Sequence, residues 1–344
     1  MAKIMTNRER VIAAIRHENP DYTPHNVMFT SQMYRRMIEY TGNSDYIDTV
    51  NNHIAKISLR KPQKPVQGKP EHFTDEFGVE WDKSGADKDI GVVAEYLLND
   101  AEQIAGYEPP QIDEDFIRTQ CAYLVKNKSD NFTFASIGFT LFERAWSLCG
   151  MENLLCWMLI DPEAVESLFT KLTDFTIQKT RIVLEYDIDG ILFGDDWGQQ
   201  KGLIMGVPLW RKMIKPHVMK MYDAAAGKSG KFIAQHSCGD NSEILDDLID
   251  MGLNIYQTFQ PEIYDMLEYK NKLRRKLTIW GGISTQTQLP FLKPEEIYEI
   301  TKTAISVLGE GGGYIASPTH EAPGDIPPEN IEAMVAAFMN QSHK

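Results

Sequence analysis

The 344-residue chain has only four cysteines, Cys121, Cys149, Cys156 and Cys238. They are too few and too irregularly spaced for a disulfide framework, which fits a reducing compartment. No apolar run is long enough to cross a bilayer. The first residues lack the apolar core of a secretion signal, so the expected address is the cytoplasm. Low-complexity segments and sequence-level repeats are missing. So is a Gly-x-Gly-x-x-Gly between strand and helix, which sets aside a dinucleotide loop. Positive charge is short as well: 35 Lys and Arg stand against 49 Asp and Glu, a net −14. A nucleic-acid or anionic membrane partner needs a cationic footprint, so neither is expected.

What is present is enough apolar content, 42%, to bury a large core. Thr6 and Glu9 form a capping-box pattern ahead of an amphipathic helix. From there to about Gln111 the chain is irregular, with prolines at 20, 24, 62, 65 and 70, and reads as an elaboration before the main domain. Strand and helix patterns then alternate. Strands are expected over 131–138, 189–193, 231–235, 253–259, 277–281 and 313–316. Helices are expected over 163–185, 242–251, 294–308 and 328–339. Repeated β-then-α units predict a parallel sheet with helices outside. A single-domain (β/α)8 TIM barrel over 1–344, with the N-terminal elaboration inside 1–111, is the commonest such solution, and a doubly wound sheet is the alternative.

Polar clusters follow four of these strands: Gly194-Asp195-Asp196-Trp197-Gly198, His236-Ser237-Cys238-Gly239-Asp240, Gly281-Gly282-Ile283-Ser284-Thr285-Gln286 and Ser317-Pro318-Thr319-His320-Glu321. In a barrel such loops gather at one mouth and build the active site. Side chains two apart on extended backbone point the same way, so His236 and Cys238 can converge on one ion. A third ligand from another strand end would leave the open position of a catalytic zinc site. Each cluster also has a structural reading, as a helix cap, a turn or a hydrogen bond to a carbonyl.

The succession Asp189–Gly198, His236–Asp240, Gly281–Gln286 and Ile326–Ile331 resembles the uroporphyrinogen decarboxylase superfamily. Within it, the chain is most similar to the zinc-dependent, cobalamin-linked methyltransferases. The resemblance covers nearly the whole chain and implies a (β/α)8 barrel. It also implies zinc on His236, Cys238 and a third ligand. In the enzymes that use coenzyme M, that third ligand is a later cysteine. Counting back from Pro-x-Glu-Asn-Ile places His320 there. One thiolate with two neutral imidazoles leaves zinc a formal charge of +1, a stronger Lewis acid suited to a departing oxygen rather than a thiol acceptor. The implied activity is therefore that of an O-demethylase system: a methyl group passes from a small methoxylated substrate to the Co(I) of a corrinoid carrier protein. The corrinoid comes in trans, because the carrier signature Asp-x-His-x-x-Gly is absent.

Phe29, Phe139, Phe142, Trp197 and Trp280 are candidates to line an aryl pocket. Asp195, Asp196 and Glu143 are candidate catalytic carboxylates, with Glu143 or Glu321 a candidate fourth ligand or proton donor. Transfer from a methyl-corrinoid to coenzyme M or a folate is the nearest alternative. Uroporphyrinogen decarboxylation is disfavoured, because Ser31-Gln32-Met33-Tyr34-Arg35-Arg36 stands where decarboxylases carry Arg-Gln-Ala-Gly-Arg. A homo-oligomer is compatible with all of these readings.

Overall fold

The computed structural model describes residues 4–85, 90–227 and 230–341. Seven strands form one sheet: β1 (Ile54–Ser58), β2 (Phe132–Phe139), β3 (Gly190–Gly194), β4 (Phe232–His236), β5 (Ile255–Phe259), β6 (Thr278–Ile283) and β7 (Tyr314–Pro318). They hydrogen-bond in chain order, each beside the strand that precedes it. The pairs β4–β5, β5–β6 and β6–β7 are parallel, and helices fill the intervals between them, including Leu245–Asp250, Met266–Leu273 and Pro294–Leu308. The protein is thus mixed α/β with a parallel sheet. Strands β3, β5, β6 and β7 are buried at every residue. This explains their near-continuous apolar runs: a strand covered on both faces loses the alternating pattern.

The chain divides into two compact units and crosses between them four times. The first comprises 1–55, 127–134 and 234–344, the second 56–126 and 135–233. In the first unit the capping box forms as the sequence predicts, with the Glu9 amide donating to Thr6 Oγ1 at 3.1 Å and the Thr6 amide donating to Glu9 Oε2 at 2.9 Å. Arg10 then ties the Asn7–Ile15 helix to Asp21 through Nε (2.6 Å) and Nη2 (2.9 Å), a buried two-pronged pair.

Residues 24–26 run parallel to β7. The Asn26 amide donates to Ala316 O (2.9 Å), and the Ala316 amide donates to Pro24 O (2.8 Å). On its other side this segment meets the entry to β1, where the His53 amide donates to His25 O at 3.1 Å. The pairing stays short because Pro24 has no N–H and the His25 amide donates to the His53 ring Nδ1 (3.1 Å) instead of to a strand.

The second unit adds a small antiparallel sheet of Lys64–Pro65, His72–Thr74, Glu80–Asp82 and Val92–Glu95. This is the ordered form of the stretch that reads as irregular. The helix expected over 242–251 is shorter than its pattern, Leu245–Asp250. Its first turn is lost because Asn241 is bound into the preceding loop, as described next.

Candidate functional site

His236 ends β4, Cys238 lies two residues further on, and His320 follows β7. These three side chains, all in the first unit, come together with one ligand atom each lying within 4.8 Å of the others. Cys238 Sγ is 3.6 Å from His236 Nε2, and the two imidazoles meet edge to face, with centroids 5.4 Å apart. Tetrahedral zinc with ordinary Zn–N and Zn–S bonds sets neighbouring ligand atoms about 3.3–3.6 Å apart. The Cys238–His236 spacing already has that value, and the third side chain needs to close by about 1.5 Å at most. Donor set and spacing both fit a zinc ion. Among the described residues the cluster has these three members, and Glu321 lies outside it.

The surrounding residues hold the cluster in shape. His236 Nδ1 donates to Gln257 Oε1 at 3.0 Å, which leaves the Nε2 lone pair on the side of Cys238. Gln257 is buried in β5, and its carbonyl accepts the Ser237 amide (2.6 Å). Beyond Cys238 the backbone turns at Gly239 with φ +80°, a conformation that costs a side chain energy but not glycine. Asn241 Nδ2 spans this turn, donating to Cys238 O (3.1 Å), Gly239 O (3.3 Å) and Tyr256 Oη (2.9 Å). Two buried phenols complete the cradle: Tyr256 Oη donates to Ser237 O (2.9 Å), and Tyr264 Oη donates to Gly239 O (3.0 Å). Burial pushes both phenols well above the usual tyrosine range, so they remain donors.

The β7 loop is tied through Thr319. Its amide donates to Ile283 O (2.8 Å), and its hydroxyl accepts the Thr285 amide (3.2 Å). Gly281 and Gly282, which could have served only a turn, sit inside β6 with φ +136° and +95°. A Cβ on Gly281 would lie 2.8 Å from Phe259 N, so the close approach of β5 requires glycine there.

Residues 76–340 match the uroporphyrinogen decarboxylase (URO-D) family. The chain belongs to that family. A methyltransferase from Methanosarcina mazei has a similar structure, with TM-score 0.73 at 16% identity over 97% of this chain and 98% of that one. At this identity the likeness speaks for a shared fold. A B12-independent methionine synthase from Shewanella sp. W3-18-1 is more distant, with TM-score 0.43 at 10% identity over 94% and 93% of the two chains. No curated protein matches the sequence.

This URO-D chain carries a second polar group, within the second unit. Asp195, just past β3, is fully buried. It accepts the amides of Phe142 (2.9 Å) and Glu143 (2.7 Å) at the start of the Phe142–Cys149 helix, and Trp197 Nε1 (2.8 Å). The candidate catalytic carboxylate is therefore also a helix cap. Burial raises its pKa to about 6, against the pull of those N–H groups. Glu143 is buried too. Burial, with Asp196 and then Asp195 beside it, pushes its carboxyl well above the ordinary range, although the Asp196 amide donates to it. Its proton is held more tightly than that of an ordinary carboxylic acid.

The five candidate aromatics divide between the units. In the first, Phe29 stacks on Tyr46 at 6.4 Å and the fully buried Trp280 stacks on Phe134 at 5.6 Å. In the second, Phe142 and Trp197 are fully buried, Trp197 lying edge-on to Trp210 at 5.5 Å, and Phe139 lies beneath the Arg60 guanidinium at 4.5 Å. Gln257, Asn241, Tyr256, Tyr264 and Arg60 are the participants that sequence reasoning misses. None carries a periodic or spaced signal.

Proposed function

We propose that this URO-D family member is a zinc-dependent methyltransferase. It takes a methyl group from a methoxylated, aromatic substrate and delivers it to the Co(I) corrinoid of a separate carrier protein. The observation that carries this reading is the convergence of His236, Cys238 and His320: one thiolate and two imidazoles, a more electrophilic donor set than a thiol acceptor needs. In the overall reaction a methyl carbon–oxygen bond breaks, a carbon–cobalt bond forms, and the oxygen ends with a proton. Zinc held by these residues supplies Lewis-acid polarisation of the departing oxygen.

The chain's own groups position and protonate. Gln257 fixes the His236 ring, and the Asn241–Tyr256–Tyr264 cradle fixes the backbone that presents Cys238. Glu143 is assigned as proton donor to a polar group of the substrate, its hold on the proton strengthened by burial first and then by Asp196 and Asp195. Of the five candidate aromatics, Phe142, Trp197 and Trp280 are fully buried core, which leaves the half-buried Phe29 and Phe139 as candidates for aryl binding. In the same reading the sheet is a single (β/α)8 barrel domain whose eighth strand is reduced to residues 24–26, supported by their bonds to Ala316 and His53.

Uroporphyrinogen decarboxylation is less well supported. Arg36 donates to the backbone carbonyls of Ile326 (3.0 Å) and Gly324, and Arg35 donates to Ser31 O (3.2 Å), so both are engaged with the chain itself.

Elemental analysis tests the reading first. Near-stoichiometric zinc in the wild type, falling in His320→Ala, is expected, and a metal-free wild type purified without chelator overturns it. A panel of methoxylated aromatics with reduced carrier protein should then give the methylcobalamin spectrum. If the only activity is loss of methyl from methylcobalamin to a thiol or folate, the direction is reversed.

A further inference from the structure

Arg60 lies two residues beyond β1, in the second unit, and is half-buried. Its stem packs against Gly138, where a Cβ would fall 2.7 Å from Arg60 Cγ, and its guanidinium lies over the Phe139 ring at 4.5 Å. Glycine at 138, with φ +82°, thus makes room for the arginine and helps fix its course. Among the described residues the guanidinium makes no hydrogen bond and no ion pair.

The nearby acids are engaged elsewhere. Asp75 pairs with Arg144 Nη1 at 2.6 Å and accepts Trp81 Nε1 at 3.1 Å. Glu76 pairs with Lys179 at 2.8 Å. Asp195, which lies beside Glu143, is taken up by its three N–H donors, and burial pushes the Glu143 carboxyl well above the ordinary range. Arg144 lies over the same Phe139 ring at 5.8 Å and repels Arg60. Burial and this second cation both lower the Arg60 pKa, while the charges of Asp75, Glu143 and Glu76 act in the opposite sense. A desolvated guanidinium with five donors and no acceptor is costly unless a ligand completes it.

We propose that Arg60 is the recognition residue for a carboxylate carried by the substrate, with Phe139 as the platform that holds the guanidinium. The planar fork matches a carboxylate two-pronged. A phosphate dianion is disfavoured, because Asp75 and Glu76 act on the same guanidinium and tolerate one negative charge better than two. The substrate class narrows from a methoxylated aromatic to a methoxylated aromatic acid.

This proposal rests on the methyl-transfer reading only for the choice of probe. Calorimetry on the full chain, with zinc removed by chelator and no corrinoid present, compares 4-methoxybenzoate, methoxybenzene and inorganic phosphate. The acid should bind about 10- to 100-fold more tightly than methoxybenzene, the range of a charge-assisted pair. Arg60→Gln should abolish that preference without lowering the melting temperature, and Arg60→Lys, which keeps the charge but loses the fork, should retain part of it. Equal affinity for acid and ether in the wild type, a preference that survives Arg60→Gln, or tighter binding of phosphate overturns the proposal. Should Arg60→Gln fail to fold, an undiminished preference in Arg60→Lys does the same. A carboxylate preference in a chain that never binds zinc would defeat the methyl-transfer reading alone. Methyl transfer from neutral ethers, indifferent to Arg60, would defeat this proposal alone.

Discussion

His236 Nδ1 and Gln257 Oε1 stand 3.0 Å apart, and an amide oxygen only accepts, so the ring donates from Nδ1 and presents Nε2 as a base. Gln257→Leu removes that constraint while keeping the buried volume close. Groups in this position typically contribute 10- to 100-fold in metal affinity. Competition with a chromophoric chelator should show zinc affinity falling by about that range, with His236 and Cys238 still in place. Unchanged affinity would mean that the ring is held by packing alone.

Asp195 offers a second test. Replacing it with alanine leaves two helix-start amides and an indole N–H buried without an acceptor. The expected loss is about 3–5 kcal/mol of folding stability, since each such donor costs of order 1–3 kcal/mol. Asp195→Asn keeps one acceptor and should fall between wild type and alanine. Urea denaturation reads both, and a loss below about 1 kcal/mol in Asp195→Ala would show that water replaces the carboxylate.

Two buried histidines make stability depend on pH. Burial lowers the His25 pKa to about 4, and burial with His25 alongside lowers His53 to about 2. The ordinary value is 6.5. Below pH 6.5 the unfolded chain takes up protons that the folded chain refuses, so stability falls as pH falls, for His25 until about pH 4. One fully affected histidine contributes about 1.4 kcal/mol per pH unit. Asp195 works in the opposite direction, its raised pKa favouring the folded state as pH drops from about 6 towards 3.8. A His25→Gln chain shares every other group and keeps a donor for Val50 O, now 2.9 Å from His25 Nε2. Between pH 7 and pH 5 the wild type should lose about 2 kcal/mol more than this variant. Parallel losses would place the proton uptake elsewhere.

Much of this was legible in the sequence. Strands β3 to β7 are short apolar runs ended by glycine or polar residues, and burial on both faces leaves such runs little freedom to be anything else. His236 and Cys238 were readable because two-residue spacing on extended backbone fixes their direction. His320 needed the family resemblance, since nothing local to Ser317-Pro318-Thr319-His320 states where that loop goes. Gln257 was out of reach: a glutamine inside an apolar strand is unremarkable until the neighbouring strand places an imidazole on it. Arg60 was hidden for a different reason, because what distinguishes it is the engagement of Asp75 and Glu76 with other cations. The strands over 64–95 escaped notice because two to four residues rich in charge give no periodicity to measure.

The pairing of residues 24–26 with β7 has a consequence for biosynthesis. Each strand after the first bonds to the one made just before it, so the sheet can lengthen in step with the ribosome. Pro24 and Asn26 are made before any of the seven strands, yet their partner Ala316 lies in the last of them. Until Ala316 is made, that segment has His53 on one side and open backbone groups on the other, and translation halted before Ala316 would release a chain in which that second side stays unpaired.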